Sequence, residues 1–93
     1  MISRIANVRI DRPERYGKQL ASHLGNKAPS IETADGWQLT FESGVATIEP
    51  RQELLVLTVT SETESDNERI QFILSKHLIK FATNQGDLEF NWN

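Results

Sequence analysis

The stretch from Trp37 to Thr60 constrains the fold more than any other part of the chain. Trp37, Leu39 and Phe41 alternate with Gln38, Thr40 and Glu42, the period of a strand with one buried face. Ser43-Gly44 reads as a tight turn into a second strand, Val45–Glu49. Pro50 to Gln52 reads as the next turn, before a third strand over Glu53–Thr60. That last strand carries Leu55, Leu57 and Val59 on one face and Leu54, Val56 and Thr58 on the other. An apolar start on both faces marks a central position in a sheet. Upstream, Ser30–Ala34 is a weaker strand, joined to the first through Asp35-Gly36, a two-residue hairpin signal. Strands joined by such short turns are antiparallel neighbours.

The flanking segments supply helices. Ala6, Val8 and Ile10 alternate with Asn7 and Arg9, giving an opening strand over Ser3–Ile10. Asp11 and Glu14 form a capping-box pattern, Pro13 suits a first helical turn, and the helix runs to about Leu24. Gly25-Asn26 stops it and Pro29 prevents continuation. Ser65 and Glu68 repeat the capping-box pattern before a long helix to about Thr83. Asn84 to Asp87 is a turn, and Leu88, Phe90 and Trp92 alternate with Glu89, Asn91 and Asn93 as a closing strand. The order is β-α-β-β-β-β-α-β. Both helices are amphipathic and need a surface to cover. The expected architecture is therefore an α+β two-layer sandwich, a mostly antiparallel sheet with both helices on one face.

A length of 93 residues supports a single domain, 1–93. Such a domain buries roughly 60–70% of the surface its unfolded chain exposes, so the core is shared among few elements. The absence of cysteine excludes disulfides, thiolate zinc clusters and a cysteine nucleophile, and suits a reducing compartment. No apolar run has the length of a signal peptide or a membrane span, which leads to the expectation of a cytoplasmic protein without a membrane partner. The net charge of −3 argues against a nucleic-acid partner, since phosphate neutralisation needs a basic patch. Only Arg9, Arg12, Arg15 and Lys18 cluster, and a solvated face accounts for them. The acidic run Glu62, Glu64, Asp66 and Glu68 suits a helix start and lacks calcium-loop spacing. The glycines form no phosphate-cradling loop, and no cofactor is expected.

The two histidines are the first place to look for chemistry. His23 falls within the stripe of Tyr16, Leu20 and Leu24, and His77 within the band Ile70, Ile73, Leu74, Leu78 and Phe81. Helices packed side by side on the sheet can bring the two imidazoles together. Neutral imidazoles can ligate a metal, with Glu14, Glu32 or Asp35 as a third donor. One can act as a general acid or base, or the pair can sense pH. The bland reading carries more weight: a histidine on an apolar face is usually a core residue with a ring nitrogen bonded to a carbonyl or carboxylate. Ser22-His23 lacks the glycines of a nucleophile elbow, and no residue stands out as catalytic. Lys27, just past the first helix, can meet an anion, although a solvated lysine is more common. Phe72 and Ile79 lie opposite the main stripe of the second helix and make a candidate dimer or partner contact, against the ordinary occurrence of isolated surface apolars.

The segment Asp11-Arg12-Pro13-Glu14-Arg15-Tyr16, followed by Lys18-Gln19-Leu20, Ser22-His23, Lys27, His77-Leu78, Phe81 and the closing Leu88–Trp92, resembles the DUF2218 family of small bacterial proteins of unknown function. The resemblance covers essentially the whole chain. The matching positions are Arg12, Tyr16, Lys18, Gln19, His23, Lys27, His77 and Phe81, and Lys80 keeps a basic residue just before that phenylalanine. The family brings no established activity. Some relatives are attached to siderophore-interacting flavin reductases or lie near iron-uptake genes, which implies a link to iron acquisition. Nothing in this chain binds flavin, so the resemblance implies at most an accessory to such a reductase. The leading expectation is a non-enzymatic accessory module that binds a small molecule or protein, such as a siderophore-reductase component, through Arg12, Tyr16, His23, Lys27 and His77. The alternatives are a structural or dimerisation domain without a ligand and a small histidine-dependent enzyme.

Overall fold

Five strands pair antiparallel, but the turns are displaced from the sequence signals: residues 33–36 replace the two-residue Asp35-Gly36 turn, and Glu42-Ser43 replaces Ser43-Gly44 because Phe41 pairs with Gly44. The computed structural model describes residues 1–93. In it, β2 (Ser30–Glu32), β3 (Trp37–Phe41), β4 (Gly44–Arg51) and β5 (Leu54–Ser61) form an antiparallel meander. β1 (Ile2–Arg9) pairs antiparallel with β5, which makes β5 internal and gives the sheet order β1-β5-β4-β3-β2. α1 (Pro13–Leu24) carries the chain from one edge of the sheet to the other, over β3, β4 and β5. α2 (Glu64–Phe81) lies beside it over β1, β4 and β5. The fold is α+β, and its five strands and two helices follow in the order implied by the sequence, while the expected closing strand over Leu88–Trp92 does not form. No helix is long and apolar enough to cross a membrane.

Register decides which side chains face the helices. Val8 stands opposite Leu55, and Ala6 opposite Leu57, which in turn faces Ile48. Leu39 stands opposite Ala46. All seven of these residues are fully buried, as are Leu20 and Leu24 of α1 and Ile70, Leu74 and Leu78 of α2. Each large aliphatic side chain buried in this way contributes about 1.5–3 kcal/mol. α1 approaches closely because Gly17 has no side chain: a Cβ there would meet Leu55 Cδ1 at 3.0 Å, Trp37 Cζ3 at 3.2 Å and Ile48 Cγ2 at 3.3 Å. Asn67 is the one fully buried polar residue of α2, and its Nδ2 donates to the carbonyls of Ile2 at 3.1 Å and Val59 at 3.0 Å. Those bonds fasten α2 to both β1 and β5.

The helix starts differ from the capping-box expectations. Arg12, not Asp11, is the N-cap of α1; it adopts the left-handed region at φ 54° and makes no side-chain capping bond. Pro13 is the cause, since the residue before a proline is disfavoured in the right-handed helical region. The Asp11 backbone N–H instead donates to Gln85 Oε1 at 2.9 Å. α2 starts at Glu64, before the expected Ser65, because Thr63 is the cap and its Oγ1 accepts from Asp66 N at 3.1 Å. The Ser61 hydroxyl donates to the Thr63 carbonyl at 2.7 Å and helps hold that residue extended.

Two further boundaries move. β4 continues through Pro50 to Arg51, leaving Gln52 and Glu53 as the turn, with Glu53 at φ 56°. Proline is tolerated there because β3 pairs no further along β4 than Ile48, so no strand on that side needs the missing donor. α2 ends at Phe81, followed by a 3-10 turn over Thr83–Gln85. The closing segment docks, with Leu88, Phe90 and Trp92 half-buried against the core. Its ladder is reduced to one pair, Ile5 and Asn93, which exchange two backbone hydrogen bonds of 3.0 Å. Side-chain packing holds this arm; a groove of about 450 Å³ between it and the β1 edge replaces further backbone pairing.

Candidate seam between the two helices

The imidazoles meet. His23 lies one residue before the end of α1 and His77 in the C-terminal part of α2, with ring centroids 5.0 Å apart and planes inclined at 44°. The Phe81 ring completes the cluster, edge-on to His23 at 5.1 Å and 6.4 Å from His77. His77 Nδ1 lies 2.8 Å from the Ile73 carbonyl oxygen, one turn back in the same helix. A carbonyl only accepts, so Nδ1 carries a proton, and in the neutral ring Nε2 is then the nitrogen with the lone pair.

Burial corrects the expectation of two core-facing rings. His23 is exposed and His77 half-buried. The wheel placed both within apolar stripes, but each is rotated by about 60–100° from the leucines that point into the sheet. Two helices lying side by side leave those flanking positions on the outer seam. The rings are therefore held by each other, by Phe81 and by one carbonyl, with one side open to solvent.

The other candidates do not converge on this seam. Arg12 is eleven positions before His23, about 16 Å along the helix axis, at the opposite end of α1. Tyr16 is a core residue, 8% exposed, with the Arg15 guanidinium 5.9 Å from its ring centre. Lys27 is exposed in the turn that ends α1, where its backbone N–H donates to the Leu24 carbonyl at 2.9 Å. Phe72 and Ile79 are exposed on the outer side of α2, at 65% and 51%.

A third metal donor is missing. Glu14, Glu32 and Asp35 line a different feature, a cleft of about 830 Å³ that they share with Arg12, Arg15 and Trp37. No three histidine or acidic side chains, in that cleft or elsewhere, stand close enough to hold a metal ion together. Neither imidazole lines any of the four surface clefts. The two ion pairs, Arg4–Glu64 at 2.9 Å and Arg51–Glu49 at 3.3 Å, involve neither histidine. Every buried polar side-chain atom has a hydrogen-bond partner, so the core holds no orphaned group awaiting a ligand. The large cleft was not legible as a unit, because it joins the start of α1 to two hairpin ends that are distant in sequence. Phe81 was legible as part of the helix stripe, but its place against His23 needed the helix pairing.

Comparison with known proteins adds the family and the fold. A family model described as "Uncharacterized protein conserved in bacteria (DUF2218)" matches residues 5–93. The NMR structure of PA4090 from Pseudomonas aeruginosa superimposes with a TM-score of 0.83, covering 100% of this chain and 96% of that chain at 22% identity. At that identity the likeness speaks for the fold alone. A comparison with curated proteins gives no match.

Proposed function

Since the chain belongs to the DUF2218 family of bacterial proteins, which carries no assigned activity to transfer, we propose from the helical seam itself that it is a non-enzymatic binding module whose ligand engages His23 and His77. The observation that carries this reading is the pairing of two imidazoles from different helices at 5.0 Å, with the Nε2 of His77 left free by the bond to Ile73. Two nitrogen donors without a carboxylate make an incomplete metal site. An incoming ion must bring its remaining ligands with it, as a partly chelated metal does.

Donor chemistry narrows the ion. Imidazole suits ferrous iron, zinc, nickel and copper, whereas a ferric ion wrapped in hard oxygen donors has little use for it. A link to siderophore use is then a link to the reduced metal: the module receives ferrous iron beside a reductase that is a separate protein. Arg12, Tyr16 and Lys27 do not converge on the seam and take no part in this reading.

Calorimetric titration with ferrous iron under anaerobic conditions, zinc and a ferric hydroxamate chelate tests the reading. Divalent binding that His23→Ala and His77→Ala each abolish supports it. Absence of binding, or binding indifferent to both substitutions, removes it. A second reading has its own observation: the edge-on packing of Phe81 on His23 and the Ile73 bond of His77 make the cluster a clamp between helices. That reading calls for loss of stability in both variants with no ligand present.

A further inference from the structure

The largest cleft carries an inference independent of the histidine seam. It encloses about 830 Å³ between the start of α1, the β2–β3 connection and the end of β4, a size that suits a small organic ligand. Its charges are sorted by wall. The α1 wall presents Arg12 and Arg15 with Glu14 between them, and the Arg15 guanidinium carbon lies over the Tyr16 ring, 5.9 Å from its centre. The wall made by the end of β2 and the connection after it presents Glu32 and Asp35 and no basic residue. Arg51 and Glu53, on the third side, offset each other in sign. The two ion pairs of the chain, Arg4–Glu64 and Arg51–Glu49, leave Arg12, Arg15, Glu32 and Asp35 without partners, so no ion pair spans the cleft. Trp37 also lines it, half-buried, with one ring edge against α1 at Gly17.

We propose that this cleft binds a small zwitterion of dipeptide size, its carboxylate on Arg12 and Arg15 and its ammonium on Glu32 and Asp35. Three arginines and four carboxylates line the cleft. A simple anion or a simple cation therefore meets one matching wall and one repelling wall, whereas a ligand charged at both ends satisfies both. Guanidinium forks suit a carboxylate, which they hold through two parallel bonds. The opposite charges stand farther apart than a direct ion pair, and the ends of a dipeptide, more widely separated than those of a single amino acid, bridge that gap. Between the two ends, the Trp37 ring offers a surface for an apolar side chain.

Calorimetric titration of the full chain with glycyl-phenylalanine, its N-acetyl derivative and its C-terminal amide tests the assignment. The zwitterion is expected to bind with a dissociation constant of about 1 mM or tighter. Each blocked form should bind about tenfold more weakly, because it lacks one charged, hydrogen-bonded end. The two walls are then separated by substitution. The Arg12→Gln/Arg15→Gln variant should lose the advantage of a free carboxylate and bind glycyl-phenylalanine and its amide equally. The Glu32→Gln/Asp35→Asn variant should lose the advantage of a free ammonium and bind glycyl-phenylalanine and its N-acetyl form equally. All four positions are solvent-exposed, and circular dichroism melts check that both variants remain folded. No heat from the wild-type chain at about tenfold that concentration, equal binding of all three peptides, or variants that weaken all three alike would each overturn the proposal.

Discussion

His23 and His77 occupy the same place relative to the leucines of their helices. Each follows one buried leucine by three positions and precedes another by one: Leu20 and Leu24 in α1, Leu74 and Leu78 in α2. That shared offset turns both rings toward the seam, where they meet at 5.0 Å. The leucines below set the helix spacing, so the pairing of the rings is a by-product of core packing. It is also what makes them available to something outside the protein.

Ligand-linked stability follows from this placement. A zinc concentration of about one hundred times the dissociation constant is expected to stabilise the wild-type chain by about 2.7 kcal/mol. His23→Ala and His77→Ala lose that increment. Their own cost without metal is about 1 kcal/mol, since each ring is partly open to solvent and contributes at most one hydrogen bond and an edge contact. Thermal melts with and without zinc measure both quantities.

The helix-cap assignment predicts a contrast between two nearby hydroxyl residues. Thr63→Ala removes the side chain that accepts from Asp66 N and should cost about 1 kcal/mol. Ser65→Ala, already inside α2 and exposed, should be nearly neutral or slightly stabilising through alanine's higher helix propensity. Urea denaturation of the two variants distinguishes the caps.

Asn67→Ala should be among the most damaging single polar substitutions. It withdraws the amide from the Ile2 and Val59 carbonyls, removes the acceptor that Gln71 Nε2 reaches at 2.7 Å, and leaves a cavity under α2. A loss of about 2–4 kcal/mol is expected. An unfolding free energy within about 0.5 kcal/mol of wild type, on the scale of an ordinary surface change, would contradict the fastening role.

Gly17→Val places branched atoms where a single Cβ already meets Leu55, Trp37 and Ile48 at 3.0–3.3 Å. Helix propensity favours the substitution by a few tenths of a kcal/mol, but overpacking costs about 1–3 kcal/mol and wins. α1 must lift from the sheet, and the near-ultraviolet circular dichroism of Trp37 should change with it.

Gly36 shows how far the hairpin signals carry, and where they stop. A Cβ there would overlap the Ile48 carbonyl oxygen, so the position demands glycine, but the connection runs over residues 33–36 and not over Asp35-Gly36 alone, because β2 ends at Glu32 opposite Trp37. Pro50 reads as a turn residue because proline usually ends pairing. It sits within β4 because β3 has already stopped at Trp37, a fact about a neighbouring strand. Asp11 and Ser65 fit capping patterns that compete with a proline at one start and a threonine at the other. Local rules rank such rivals too closely to choose. Of the proposed site residues, the meeting of His23 and His77 was legible as a geometric option. The separation of Arg12 from them follows from the helix rise alone, and the burial of Tyr16 from its place in the stripe.

Alternation and hairpin turns determine an antiparallel meander, and helical periodicity adds two amphipathic covers, because both depend on interactions a few residues apart. Which strand β1 joins, and on which side of the helix pair the imidazoles emerge, are decided only when the layers close. Val8 must find Leu55 across 46 intervening residues, and His23 must find His77 across 53. Contacts at that separation are set by how volumes fit between sheet and helices, with Gly17 letting α1 come close and the leucines fixing its rotation. That fit is a property of the packed whole.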